Sequence, residues 1–290
     1  MQENAGLVLE GGGMRGVYTA GVLELFMEQN MFFPYVIGVS AGACNAASYL
    51  SRQNGRNKEV NIGYINHPNY LSYRNLFRKG QLFDMDFIFQ EIPTEHVPFD
   101  FDTYFAAKEH FVIGATDVET GNPVYFEKDG TQEEALTMLR ASSSLPFIAP
   151  VVEFREKKLM DGGISDPIPI RKAMQDGAEK VVLVLTRNEG YEKKPSKFGW
   201  IAKQAYRKYP KLVEQMLTRY QTYNETLRYV EQLEKEGKVF IIRPFEPLQV
   251  GRMEKDVHKL ELLYEQGYRD AKRQSEKLKE YLGEKASASS

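Results

Sequence analysis

Over roughly the first two thirds of the chain, short apolar runs that end in glycine-rich turns alternate with stretches whose apolar positions recur every three or four residues. Leu7-Val8-Leu9 is a buried-strand candidate that runs straight into Glu10-Gly11-Gly12-Gly13. From Val17 the spacing turns helical, with Val17, Gly21 and Leu25 on one line and Val22 and Phe26 on the next. Val36 to Val39 predicts a second strand, ended by the turn that holds Ser40, and a small-residue helix follows through Ala43, Ala46, Ala47 and Leu50. Strand, helix, strand, helix in this order predicts a parallel sheet with crossover helices.

The middle is less regular. Tyr64 to Glu91 carries Tyr64, Tyr70, Tyr73, Phe77, Phe83, Phe87 and Phe89, which read either as ordinary core or as a lid or acyl pocket. Phe111 to Ala115 and Val124 to Phe126 predict strands joined by the turn Glu119-Thr120-Gly121-Asn122-Pro123. A helix is expected over Glu133 to Arg140, a brief strand over Lys158 to Met160, and a buried strand over Lys180 to Leu185. Beyond Arg187 come two long charged helices, roughly Tyr206 to Glu236 and Met253 to Leu282, with a strand candidate, Val239 to Ile242, between them. An isolated strand needs a sheet to join. The expectation is therefore one domain over residues 1–290, with a core over about 6–187 and a helical extension with one further strand over about 188–285. Ala286 to Ser290 reads as a frayed or vector-derived tail.

Composition changes this picture little. The 290 residues are 42% hydrophobic and 27% charged, as in ordinary globular proteins. A formal charge of −2 gives no global pull toward nucleic acid. The single cysteine, Cys44, excludes an internal disulfide and fits a reducing compartment. With no secretory pattern at the start and no apolar run of the ~18–20 residues a bilayer span requires, a cytoplasmic protein is expected.

Chemistry enters at Gly38-Val39-Ser40-Ala41-Gly42, between a strand and a small-residue helix. This is the G-x-S-x-G turn that lifts a serine hydroxyl above a sheet edge. The helix that follows aims its first amides, Ala41 among them, at the place where an oxyanion would form. Gly11-Gly12-Gly13-Met14-Arg15-Gly16 admits two readings. As G-x-G-x-x-G it suits a dinucleotide, but the acid expected some 20 residues on is missing, because counting forward reaches Tyr35, Val36 and Ile37 and then the serine turn. As an oxyanion hole, Gly11, Gly12 and Gly13 supply unhindered N–H donors, and Arg15 orients the loop or meets a phosphate. The second reading is preferred.

The serine needs a base. Of the four histidines, only His258 follows Asp161 as a Ser–acid–His order requires, and it sits in the charged stretch Lys255-Asp256-Val257-His258-Lys259. Asp161-Gly162-Gly163 lies at a strand end, where sites in α/β sheets collect, and desolvation would make its carboxylate a better base. Asp166, just before Pro167, is the rival acid.

Glu10-Gly11-Gly12-Gly13-Met14-Arg15-Gly16, Gly38-Val39-Ser40-Ala41-Gly42 and Asp161-Gly162-Gly163, in this order, resemble the patatin-like phospholipase family across about Leu7 to Leu185. Ala141-Ser142-Ser143-Ser144-Leu145-Pro146 and Thr116-Asp117 are similar to segments of bacterial members. The resemblance implies a three-layer α/β/α fold with a mostly parallel central sheet. It also implies a Ser40–Asp161 dyad with no catalytic histidine, an oxyanion hole from Gly11 to Gly13, lipid acyl-ester hydrolysis and no metal or other cofactor. Glu10 stands where many relatives carry Asp, and its side chain is expected outside the donor set.

On the substrate side, Leu145-Pro146-Phe147-Ile148-Ala149-Pro150 is stiffened by proline, and Pro146 and Phe147 are expected to wall the substrate pocket. Lys193 to Lys211 carries seven cations and no acid, interleaved with Phe198, Trp200, Ile201, Tyr206 and Tyr209. That pattern suits peripheral docking on an anionic lipid surface, or a plain solvated loop. Three competing readings remain: a soluble short-chain carboxylesterase, a dinucleotide-binding protein, and a silent lipid-binding relative.

Overall fold

A computed structural model describes residues 3–72, 75, 80–197 and 199–283. Tyr73, Phe77, Phe198 and the tail from Ala286 lie outside the described residues.

Five strands form a parallel block: β1 (Ala5–Leu9), β2 (Tyr35–Val39), β3 (His110–Asp117), β7 (Lys180–Val184) and β8 (Val239–Ile242). β4 (Pro123–Glu127) returns antiparallel on β3 as a hairpin, and β6 (Lys157–Asp161) and β5 (Val152–Phe154) continue antiparallel beyond it. The order is β5-β6-β3-β2-β1-β7-β8, with β4 off this path. β1 sits at the centre of the parallel block and is buried throughout, which explains why its sequence reads as an apolar run rather than an alternation.

Successive β1 side chains feed two different cores. Leu7 and Leu9 join the larger one, packed under α1 (Val17–Glu28), α2 (Ala41–Leu50), α4 (Gln132–Ser142) and α8 (Val257–Tyr281), whereas Val8 faces a second core under α5 (Ile170–Gln175) and α7 (Pro210–Lys235). Two further short α-helices are α3 (Phe101–Ala106) and α6 (Gly199–Ala205), and π-helical segments run over Glu59–Gly63 and Phe87–His96. Helices on both faces of a mostly parallel sheet make the three layers that the family resemblance implies.

The helix ends follow local chemistry. α7 begins at Pro210 rather than Tyr206, because proline is pre-set for the first helical position and lacks the N–H that a longer helix would use. α8 begins at Val257 rather than Met253, where Asp256 caps it by accepting from the Lys259 N–H at 3.1 Å. Asp100 and Thr131 cap α3 and α4 in the same way.

α8 belongs to the main core. A Cβ on Gly21 of α1 would come 2.0 Å from the Tyr264 carbonyl, and one on Gly267 of α8 equally close to the Tyr18 carbonyl. The two helices cross backbone to backbone. Tyr18 seals the crossing by donating to Asp270 at 3.1 Å. β8 therefore lies on the same sheet that carries β1.

Candidate active site

The turn between β2 and α2 holds Ser40 at φ 54°, ψ −129°, a strained backbone for a residue with a side chain, costing on the order of 1–3 kcal/mol. The flanking glycines are there because nothing else fits. A Cβ on Gly38 would meet Ala43 N at 2.7 Å, and one on Gly42 would meet the Leu9 carbonyl at 2.5 Å. The strained residue is clamped from α4: its N–H donates to Ser142 Oγ at 2.8 Å, and the Ser142 hydroxyl donates onward to the Gly114 carbonyl of β3 at 2.6 Å.

Asp161 ends β6, tied by its N–H to the Ser144 carbonyl at 2.9 Å and by its own carbonyl to the Thr116 hydroxyl at 2.9 Å. Its Oδ1 accepts from the Gly163 N–H at 2.8 Å. The Ser40 side chain lies near the same carboxyl, whose buried Oδ2 makes no hydrogen bond. Burial raises the Asp161 pKa above the ordinary carboxylate range, and the Ser40 hydroxyl, Arg219, the Gly163 N–H and Arg252 partly oppose it.

The rival acid lies elsewhere. Asp166 accepts from the Tyr125 hydroxyl at 2.5 Å and borders neither cavity described below. No histidine borders them either. His67 stacks on Phe87 with ring centroids 4.3 Å apart, and His258 lies in the first turn of α8.

The glycine loop closes over the serine. The Cβ position of Gly11 is 3.1 Å from Ser40 Cβ, so the space in front of the loop belongs to the serine turn rather than to a dinucleotide. Gly12 packs on Thr186, and Gly13 takes a left-handed φ of 57° with its Cβ position 2.7 Å from the Arg252 carbonyl. That carbonyl accepts the Met14 N–H at 3.1 Å. Among the described residues the Gly12 and Gly13 N–H groups have no protein acceptor, and Ala41 starts α2 with the unpaired N–H of a first helical residue.

Glu10 lies outside this donor set. It accepts from the Thr186 N–H (2.6 Å), the Thr186 hydroxyl (3.0 Å) and the Tyr223 hydroxyl (2.6 Å), locking the loop to the end of β7 and to α7. Arg15 is 5% exposed, with its Nε unpaired. Burial first, and then Arg187 and Arg252, bring its pKa down to about 10, against the pull of Glu10 and Tyr223.

Two cavities meet here. The first, of about 140 Å³, is bordered by Ser40, Gly13 and Ala41 at one end. It runs between apolar walls that include Ala47, Val60, Phe83, Ile88 and Phe89. The described part of the aromatic segment thus lines a pocket while also packing in the core. The second, of about 390 Å³, is bordered by Asp161, Pro146, Phe147, Lys193, Arg219 and Arg252, among others, and shares Leu145 with the first. Pro146 and Phe147 therefore wall the second cavity, and Arg15 borders neither. Phe147, 40% exposed, and Met253, 49% exposed, stand at the rim.

The basic stretch divides in two. Lys193 is half-buried in the second cavity, while Lys203, Arg207, Lys208 and Lys211 face solvent with Trp200, 72% exposed. Among the described residues no group of His, Cys, Asp and Glu side chains is arranged to hold a metal ion, and no helix is long and apolar enough to cross a membrane. Sequence reasoning missed Ser142 as the clamp and Arg219 and Arg252 as cavity cations. Only the triple-serine run offered a signal for any of the three.

The model of patatin-like phospholipases matches residues 7–174, and a model of a domain of unknown function (DUF6363) matches 209–283. The chain is 30% identical over 251 residues to the uncharacterized protein YjjU of Escherichia coli, covering 83% of this chain and 69% of that one. It is 26% identical over 185 residues to the probable lipid hydrolase 463L of invertebrate iridescent virus 6, covering 58% of this chain and 63% of the viral one. The fold is similar to that of VipD from Legionella pneumophila, with a TM-score of 0.54 at 12% identity over 95% of this chain and 67% of that one.

Proposed function

The chain belongs to the patatin-like phospholipase family, and on that premise we propose that it hydrolyses acyl esters of lipids with Ser40 as nucleophile and Asp161 as base. The observation that carries this reading is the meeting of the Ser40 side chain and a buried carboxyl of raised pKa at the seam of two cavities, one apolar and one cationic.

The acyl chain lies in the apolar cavity, and the alcohol part lies on the Asp161 side. As Ser40 Oγ attacks the carbonyl carbon, its proton passes to Asp161. The oxyanion receives N–H bonds from the glycine loop and from Ala41 at the start of α2, each donor worth about 2.7–4 kcal/mol at the transition state. Collapse of the tetrahedral adduct expels the alkoxide, which takes the proton from Asp161. Water then gives a proton to Asp161 and attacks the acyl-serine, and the returning proton frees Ser40. Burial of Asp161 helps the two steps in which it accepts a proton, from Ser40 and from water, because its raised pKa makes the carboxylate a stronger base.

Labelling with a fluorophosphonate tests the reading. One serine is modified in the parent protein and none in Ser40→Ala. Persistent labelling of the variant, or a label on another serine, overturns it. The modest apolar cavity, about 140 Å³, also favours a second reading, an esterase for shorter chains. Rates on p-nitrophenyl butyrate, p-nitrophenyl palmitate and phospholipid vesicles separate the two. Peripheral lipid contact is assigned to the exposed Trp200 and the cations of 193–211, with Phe147 exposed at the rim of the second cavity. Vesicle sedimentation unchanged when those cations become glutamine would remove that contact from the account.

A further inference from the structure

One face of α2 leads away from the serine turn as a wall of the apolar cavity, through Ala41, Cys44 and Ser48. Spacings of three and four residues keep these side chains in line, and seven residues of helix carry the wall about 10 Å beyond Ala41. At its far end the wall meets a charge. Arg56 borders the same cavity and is 9% exposed. Its Nη1 donates to Ser48 Oγ at 3.0 Å, and its Nη2 donates to the Val97 carbonyl at 3.0 Å, just past the π-helical segment Phe87–His96. The guanidinium lies 4.9 Å from the centre of the Phe99 ring.

These two bonds hold the fork without satisfying it. A guanidinium carries five N–H donors, and the Arg56 Nε is buried with no acceptor. Among the described residues no carboxylate forms an ion pair with Arg56, and Glu59 acts on it only from an exposed position. Burial brings its pKa down to about 10, with Cys44 and Glu59 opposing, so the group is charged at neutral pH. A buried cation without a counter-ion is costly, and the fold carries that cost before any ligand arrives. A carboxylate reaching this point meets donors already oriented and already stripped of water. A free inorganic anion would gain nothing from the apolar walls at Val60, Phe83 and Ile88. An acyl tail brings methylenes for those walls and an oxygen pair for the fork.

We propose that this cavity receives acyl groups that end in a carboxylate, with Arg56 as the residue that selects them over methyl-ended chains. The inference rests on the hydrolase reading above and adds to it the chemistry of the acyl tail.

Two monomeric esters test it: the mono-p-nitrophenyl ester of suberic acid and its methyl-ended match, p-nitrophenyl octanoate. The parent protein is expected to favour the suberate at least tenfold in kcat/KM, the lower worth of a hydrogen bond to a charged group. Masking the free carboxylate as its methyl ester should abolish that preference. Arg56→Gln should cut the suberate-to-octanoate ratio by about tenfold, and a general loss of activity in the variant cancels in that ratio.

Equal rates on the suberate and octanoate esters in the parent protein overturn the proposal without needing any variant. A preference that persists with the masked carboxylate also overturns it. So does one that survives Arg56→Gln, because the carboxylate is then met elsewhere, among the cations of the second cavity. If neither ester is cleaved and no serine takes the fluorophosphonate, the hydrolase reading fails and this inference falls with it. Labelling of Ser40 with hydrolysis of both esters at one rate overturns this inference alone.

Discussion

Replacing Ser142 with alanine isolates the contact that holds Ser40, the proposed nucleophile, in place. The Ser142 hydroxyl accepts from the Ser40 N–H at 2.8 Å and donates to the Gly114 carbonyl at 2.6 Å, at a fully buried position. Alanine removes both bonds, leaves a buried N–H and a buried carbonyl short of a partner, and adds no volume that water could fill. An unsatisfied buried group costs about 1–3 kcal/mol. Because Ser40 stores strain of its own, its turn relaxes once unclamped and recovers part of that loss. A net destabilisation of about 2–4 kcal/mol follows, which at about 2.5 °C per kcal/mol for a chain of this length lowers Tm by roughly 5–10 °C. Displacing the hydroxyl by a fraction of an ångström is expected to lower kcat by about ten- to a hundredfold with little change in KM. Calorimetry and steady-state hydrolysis of p-nitrophenyl butyrate measure the two effects. A variant with parent-like Tm and kcat would refute the clamp. A lower Tm with intact kcat would leave Ser142 as fold support and remove it from positioning the nucleophile.

Asp161→Asn should lose at least about a hundredfold in kcat, the lower range for a general base, while His258→Ala keeps parent activity in the same assay. Because burial raises the Asp161 pKa, activity must be lost on acidification at a pH above the ordinary carboxylate range, as protonation removes the base; a kcat–pH profile without that limb speaks against Asp161. Ala47→Leu narrows the apolar cavity, and each displaced methylene forfeits about 0.8 kcal/mol, or roughly fourfold in kcat/KM. The loss should be confined to longer chains in an acetate-to-octanoate series, and an equal loss on acetate would place Ala47 outside the acyl path.

What the sequence revealed is what local geometry writes into it. β1 and β7 are buried on both faces, so they appear as unbroken apolar runs. The serine turn needs small residues at 38 and 42 because a Cβ at either site meets backbone. Contacts between distant elements leave weaker marks. Ser142 carries its role only because the end of α4 passes under Ser40, and three consecutive serines do not tell which one does so. Arg219 lies among many polar residues of α7, and nothing in its neighbours says that it reaches Gly163. Lys193 looked like the start of a surface stretch, yet its backbone pair with Asn224 turns it inward. The edge strand β5 is only three residues long, too brief for any periodicity to declare it.

The bond from the Met14 N–H to the Arg252 carbonyl has a consequence for the order of assembly. A nascent chain acquires the serine turn early, but the segment that braces the glycine loop is made far later, and closing so long a span costs entropy that only the finished core repays. Catalytic competence then arrives with the final packing steps. A nick anywhere between 243 and 256 should silence the protein while leaving most of its sheet standing.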